Sequence, residues 1–216
     1  LAHGEVAGLL YLERPTADRI EPPRTIRTLT EQISLALANI RLRETLLIQS
    51  TRDPLTGLYN RRYLIDALGR ELSRSSRLTQ PTAVLILDID HFKRINDTRG
   101  HDAGDTVIRA IADHLRAGVR AHDVVCRYGG EEFVIVLGDS PRTQARGVAE
   151  KLRNAVARVP PRHDGRELAP VTVSIGVAVF PDDAPTAERL LEVADRHLYA
   201  AKSAGRNRVE DGTRVD

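Results

Sequence analysis

The chain has 216 residues, of which 41% are hydrophobic and 29% charged, with a formal net charge of +2. That balance fits a globular protein of one large domain, or one domain plus part of another, and argues against a general nucleic-acid coat. The single cysteine, Cys126, excludes an intramolecular disulfide framework and fits a reducing, cytoplasmic compartment. It lies in an apolar strand and reads as buried filler. No apolar run approaches a membrane span, and no signal peptide is visible. The chain starts at Leu1 and contains no methionine, which reads as a piece of a longer protein.

In chain order, "GEVAGLLYLERP" predicts a strand cut off by Pro15. A long helix is predicted over about 25–50, where Ile26, Ile33, Ile40 and Leu47 recur every seven residues, with Leu29 and Ala36 three further on. Such a seam suits either packing on its own domain or a short parallel coiled coil between two protomers. Pro54 and Gly57 then break the helix, and the domain boundary is expected here. A second amphipathic helix follows over about 63–78, and "TAVLILDID" reads as a buried strand ending in carboxylates. Helices are expected over 105–119 and 143–159, with "DVVCRYGGEEFVIVL" as a hairpin between them. "PPRHDGRELAP" reads as a polar loop, "VTVSIGVAVF" as a strand, "AERLLEVADRHLYAAKSAG" as a helix and "RNRVE" as a last short strand. The expected fold is α/β (α+β): a mixed central sheet flanked by helices, with a long N-terminal linker helix.

Several residues carry chemistry. Asp88 closes one apolar strand and Glu131 opens the second strand of the hairpin. As neighbours, the two would present hard oxygen donors suited to Mg²⁺. Asp88 could equally cap a helix, and Glu131 could be a solvated turn residue. After Asp88, "DIDHFKRIND" enters a helix whose first N–H groups, at 91–93, would favour anionic oxygens, with Lys93 adding a cation. Lys202 and Arg206 stand four apart near a helix end, although ordinary solvated charge explains them as well. Asn96 and Asp105 have the donors and acceptors to select guanine. Asp105 could instead be a helix N-cap within a plain polar loop.

The ordered strings "DPLTGLYNRR", "DIDHFKRINDTRGHDAGD", "RYGGEEF", "VTVSIGVA" and "AKSAGRN" span Asp53 to Asn207. Together they resemble GGDEF domains, the diguanylate cyclases of bacterial signal transduction, with Glu131 where the family's usual third letter is Asp. The resemblance implies a fold akin to the palm of class III nucleotide cyclases, and condensation of two GTP into cyclic di-GMP and two pyrophosphates. By motif matching, Asp88 and Glu131 hold Mg²⁺ with the Ile89 carbonyl, two ions per half-site, and Mn²⁺ serves as a substitute. Asn96 and Asp105 read guanine, while Phe92, Lys93, Lys202 and Arg206 hold phosphates. Two roles are open to Glu132: assisting the attacking 3′-hydroxyl, or completing the second metal's shell. Each domain binds one GTP, so an antiparallel homodimer is required, and the seam of the long helix is where dimerisation would be imposed. No nucleic-acid partner and no membrane segment are expected.

Arg120 and Asp123 form the RxxD pattern, with five residues between Asp123 and Gly129, which matches the family's product-inhibition site for cyclic di-GMP; a surface ion pair is the local alternative. Lys151 occupies the position nearest to the family's secondary arginine, with Arg146 and Arg153 close by. Residues 1–50 resemble the last strands and closing helix of a GAF sensor, and 51–216 the cyclase domain. A catalytically silent cyclic di-GMP receptor acting through RxxD is the competing function. A dimerisation module carrying a decayed cyclase is the third.

Overall fold

The computed structural model describes residues 24–158, 160–163 and 166–213. The strand expected near residues 5–14, in the first part of the GAF-like segment, lies outside the described residues. The chain divides into two compact units at Ser50/Thr51.

In the first unit the described part is the long helix α1, Arg24–Thr51, whose last residue belongs to the second. Leu29, Ile33 and Ile40 of its heptad seam are about half exposed. No helix among the described residues is long and apolar enough to cross a membrane.

The second unit begins with β1 (Tyr59–Asn60), α2 (Arg61–Leu78) and β2 (Thr82–Ile89). It continues through α3 (Phe92–Arg99), α4 (His101–Gly118), β3 (Val124–Arg127), β4 (Glu132–Leu137) and α5 (Arg142–Arg158). Last come β5 (Arg162–His163), β6 (Arg166–Glu167), β7 (Val173–Phe180), α6 (Ala187–Ser203) and β8 (Val209–Glu210). Local chemistry starts two of the helices: the Asn60 side chain accepts from Tyr63 N at α2, and the Thr186 hydroxyl accepts from Arg189 N at α6. One six-stranded sheet runs β1-β3-β4-β2-β7-β8. β2 lies at its centre, antiparallel to β4 and β7, while β1 is parallel to β3 and β8 to β7. This is the mixed sheet flanked by helices that the sequence predicts.

Strand alternation divides the core. Leu85, Leu87, Phe133, Ile135 and Ile175 meet Ile111, Leu115 and Leu152 of α4 and α5 on one face. On the other face Val84, Ile86, Val134 and Val136 meet Leu64 and Leu68 of α2 and Leu190 and Leu198 of α6. Cys126 is fully buried there, and burial, with the Asp53 charge second, pushes its thiol up to about 12. It is inert filler, as expected.

Two expectations need correction. The segment read as a polar loop contains the hairpin β5–β6, because two residues on each side suffice for a ladder without any apolar pattern. The helix expected after Asp88 is found as α3, but the stretch 96–105, for which a plain polar loop was the alternative, is helical on both sides of Gly100, whose φ of +84° only glycine adopts readily. Asp105 therefore lies inside α4 and is not its N-cap.

Gly176 of β7 fixes how closely α6 approaches. A Cβ there would lie 2.1 Å from Ala194 O and 2.2 Å from Leu198 N, backbone atoms that cannot swing aside. Gly176→Ala is expected to lower unfolding stability by about 2 kcal/mol or more, read as a fall in the urea midpoint.

Candidate functional site

The alternation that builds the core also delivers the carboxylates. Asp88 shares a face with Val84 and Ile86, and Glu132 with Val134 and Val136; in the sheet register Asp88 and Glu132 are direct partners. Ile89 N donates to Glu131 O at 3.4 Å, which holds the hairpin loop beside the end of β2. Glu131 lies one residue before β4 rather than opening it. Lys202 descends from α6 on the same face, its Nζ 2.8 Å from Asp88 Oδ2. Asp88, Glu131, Glu132 and Lys202 are thus brought to one sheet edge, with the Ile89 carbonyl between them in sequence.

The hairpin tip has its own anchor. Arg127 donates through Nε and Nη2 to Gly130 O, at 3.1 and 2.9 Å, and through Nη1 to both oxygens of Asp53. Asp53 also accepts from Thr56 N and Thr56 Oγ1. The first turn after α1 and the Gly-Gly turn are therefore tied together. Neither Gly129 nor Gly130 has positive φ; what glycine provides at 129 is room, since a Cβ would lie 3.2 Å from Glu132 Oε2.

Beyond Asp88 the chain turns through His91, which has φ +58°, into α3. The first amides of a helix have no acceptor within it, and here they open next to the carboxylate edge. Phe92 is buried beneath this turn and Lys93 is exposed. One turn on, Asn96 Oδ1 is buried without a hydrogen-bond partner, directly against Gly104 of α4. A Cβ on Gly104 would overlap that oxygen at 2.0 Å. Asp105 follows Gly104 and is half-buried, so the two residues expected to read guanine sit on adjoining helices.

Arg206 is not on the helical face that its spacing from Lys202 suggested. α6 ends at Ser203, and Gly205, Arg206 and Asn207 are left-handed, with φ of +112°, +63° and +45°. Two such residues other than glycine cost about 1 kcal/mol each, and persist only where surrounding contacts impose them. Asn207 N donates to Asp90 Oδ2 at 3.0 Å, and Asn207 Oδ1 accepts from Arg153 Nη1 at 2.7 Å.

Arg120 and Asp123 lie at the opposite end of β3 from the hairpin tip. No ion pair joins their side chains. Asp123 Oδ2 instead accepts from Arg120 N, while its buried Oδ1 has no hydrogen-bond partner. Both residues line a hollow of ≈ 250 Å³ with Gln144 and Lys151. Arg146 is held by Asp211, and Arg153 by Glu150, Asn154 and Asn207, so of Arg146, Lys151 and Arg153 it is Lys151 that reaches the hollow.

Asp53, Asp90, Gly104, Arg127 and Asn207 escaped the sequence reading as contributors to this arrangement. Gly104 alone left a local signal, as a glycine inside an apolar helical pattern. The others act through contacts distant in the chain.

The site is electrostatically unbalanced. Burial, more than any neighbour, raises the Asp88 carboxyl above the usual range; Lys202 opposes the rise, while Glu131 and Asp90 add to it. Glu132 is also raised, first by burial and then by the Asp88 charge. Among the described residues no three His, Cys, Asp or Glu side chains close a metal cage. Two carboxylates and a carbonyl form an open, hard-oxygen set, and excess negative charge at this edge suits a divalent cation that keeps water and phosphate oxygens as further ligands. Because the folded state binds these protons more tightly than the unfolded chain, stability without metal rises as pH falls toward the raised values. Glu132→Gln is therefore expected to melt above the wild type at pH 7 in chelator, the gap closing as pH drops, by calorimetry.

The family description "Diguanylate cyclase, GGDEF domain" matches residues 50–208. The chain is 46% identical over 158 residues to the response regulator PleD of Caulobacter vibrioides, and 42% identical over 158 residues to the diguanylate cyclase DosC of Escherichia coli. Each alignment covers 73% of this chain, but 35% and 34% of those relatives, so the chain spans about a third of their length. Among solved structures it resembles the coiled coil and GGDEF domain of DgcB from Caulobacter crescentus in complex with c-di-GMP, at TM-score 0.76 and 32% identity, covering 86% of this chain and 100% of that one. The active GGEEF domain of a diguanylate cyclase from Vibrio cholerae matches at TM-score 0.66 and 33% identity, over 72% of this chain and 98% of that one. By this match and these likenesses the chain belongs to the GGDEF domain family.

Proposed function

We propose that the chain is a diguanylate cyclase, condensing two GTP into cyclic di-GMP with release of two pyrophosphates. The observation that carries this reading is the meeting of Asp88, Glu131, Glu132 and Lys202 at one sheet edge beside the first turn of α3. In each of two steps a ribose 3′-oxygen forms a bond to the α-phosphorus of the other GTP, the bond to the β-phosphate bridge breaks, and the hydroxyl proton leaves. Asp88, Glu131 and the Ile89 carbonyl hold two Mg²⁺ per half-site, with Mn²⁺ as a substitute; bound there, the ions neutralise phosphate charge and polarise the attacking and leaving oxygens. Lys93, Lys202, Arg206 and the Phe92 amide hold the triphosphate. Asn96 and Asp105 orient guanine, the buried Asn96 Oδ1 being an acceptor in want of a donor. Glu132, the register partner of Asp88, is placed to take up the 3′-hydroxyl proton or to complete the second metal's shell.

One domain carries one nucleotide, so the reaction needs an antiparallel pair of domains. The half-exposed seam of Leu29, Ile33 and Ile40 supports pairing of α1 with that of a second copy. We assign residues 1–50 to the end of a GAF-like sensor and its signalling helix, and 51–216 to the cyclase, working in the cytoplasm. A signal that shifts the register of α1 would reach the hairpin through the Asp53–Arg127 tie. Cyclic di-GMP inhibits at Arg120 and Asp123; Asp123 Oδ1, which makes no hydrogen bond and has His122 Nε2 at 3.7 Å, suits the N–H donors of guanine, and Lys151 stands in for a second basic contact.

The rate of cyclic di-GMP formation per protomer is expected to rise with protein concentration, and Glu131→Ala to lower it about 100-fold or more, followed by chromatography of the products. Silence at every concentration, together with tight binding of cyclic di-GMP, would transfer the assignment to a receptor. In Arg120→Ala the cyclic di-GMP concentration that halves the rate is expected to rise about tenfold.

A further inference from the structure

Asp90 has no part in the roles above, yet its carboxylate accepts three hydrogen bonds beside the site. It is 5% exposed. Its Oδ1 accepts from Ser174 Oγ at 2.7 Å, and its Oδ2 from Thr172 Oγ1 at 2.6 Å and Asn207 N at 3.0 Å. Its own N–H donates to Thr172 O at 2.9 Å. These contacts join three segments far apart in sequence: the end of β2, the start of β7 and the loop after α6.

We propose that Asp90 is a positioning residue for the triphosphate, clamping the left-handed loop that carries Arg206 to the strand end that carries Asp88. The inference rests on the nucleotide reading above. Asp90 is two residues from Asp88 and three from Lys93, so one buried side chain sets the spacing between the α3 turn and the α6 loop. Without Asp90 the Asn207 N–H loses its acceptor; Arg206 N still donates to Ala201 O, but the left-handed pair loses its tie to the strand end that carries Asp88, and Arg206 moves away from the phosphates. Arg153 grips the same loop from the other side through Asn207 Oδ1. The base-reading pair, Asn96 and Asp105, lies on α3 and α4 and shares no hydrogen bond with this clamp, so guanine recognition should be spared.

The test is calorimetric titration of the chain with Mg²⁺ and either 3′-deoxy-GTP, which cannot be cyclised, or GMP. Asp90→Ala is expected to weaken 3′-deoxy-GTP binding about tenfold or more while GMP changes by less than about twofold. Asp90→Asn keeps an acceptor for Asn207 N–H and should recover most of the loss. In an Arg206→Ala background, Asp90→Ala should add nothing. Equal weakening of both nucleotides, or additive losses in the double variant, would overturn the positioning role and leave the nucleotide reading standing. A wild type that binds neither nucleotide overturns both. Should Asp90→Ala fail to fold, Arg153→Leu carries the test: the same selective loss supports the clamp, and none overturns it.

Discussion

Like charges held together at the edge of a hydrophobic sheet are the constraint from which the rest of this structure follows. Asp88 and Glu132 are register partners across β2 and β4, Glu131 is next in the chain, and burial raises the first two carboxyls. Such an arrangement is unfavourable by itself, since burial and mutual repulsion both oppose ionisation. It is tolerated because the sheet beneath is packed on both faces, and because Lys202 reaches Asp88. A site that destabilises its own fold until cations and phosphates arrive is the usual trade between stability and activity.

Around that edge the polypeptide is held by a few buried or half-buried polar clamps rather than by secondary structure. Arg127 fastens the Gly130 carbonyl to Asp53; Asp90 and Arg153 fasten Asn207. Each joins a loop to something distant in the chain, and each donor has its acceptor. Loops that must keep one conformation beside a polar site cannot rely on apolar packing, so charge-assisted hydrogen bonds take over.

Much of the fold was legible because its signals are local. The apolar run 82–89 can only be a strand buried on both faces, and the helical spacing of Val107, Ile108, Ile111 and Leu115 can only face a core. The failures are equally local in origin. β5 and β6 have two residues each and no pattern to read. The polar stretch 96–105 is helical on both sides of Gly100 because that glycine permits a turn that hydrophobic periodicity cannot register.

For the site, sequence alone named the residues that carry charge and polarity, since Asp88, Glu131, Lys93, Asn96 and Lys202 belong to strings whose chemistry can be read one residue at a time. The pairing of Asp88 with Glu132 came instead from the sheet register, where the sequence had suggested Glu131 as its neighbour. Only the tertiary structure decided which residues hold these in position. Asp90 and Asn207 are 117 residues apart and Asp53 and Arg127 are 74 apart; nothing in either local sequence marks the partner. Arg206 shows the limit most clearly: its spacing from Lys202 implied a shared helical face, but α6 ends at Ser203, and Asp90 beyond the end of β2 takes the backbone N–H of the next residue, Asn207. Local periodicity reports which face a residue turns to the core. Contacts between loops are chosen by the packing of the whole chain, which no short window contains.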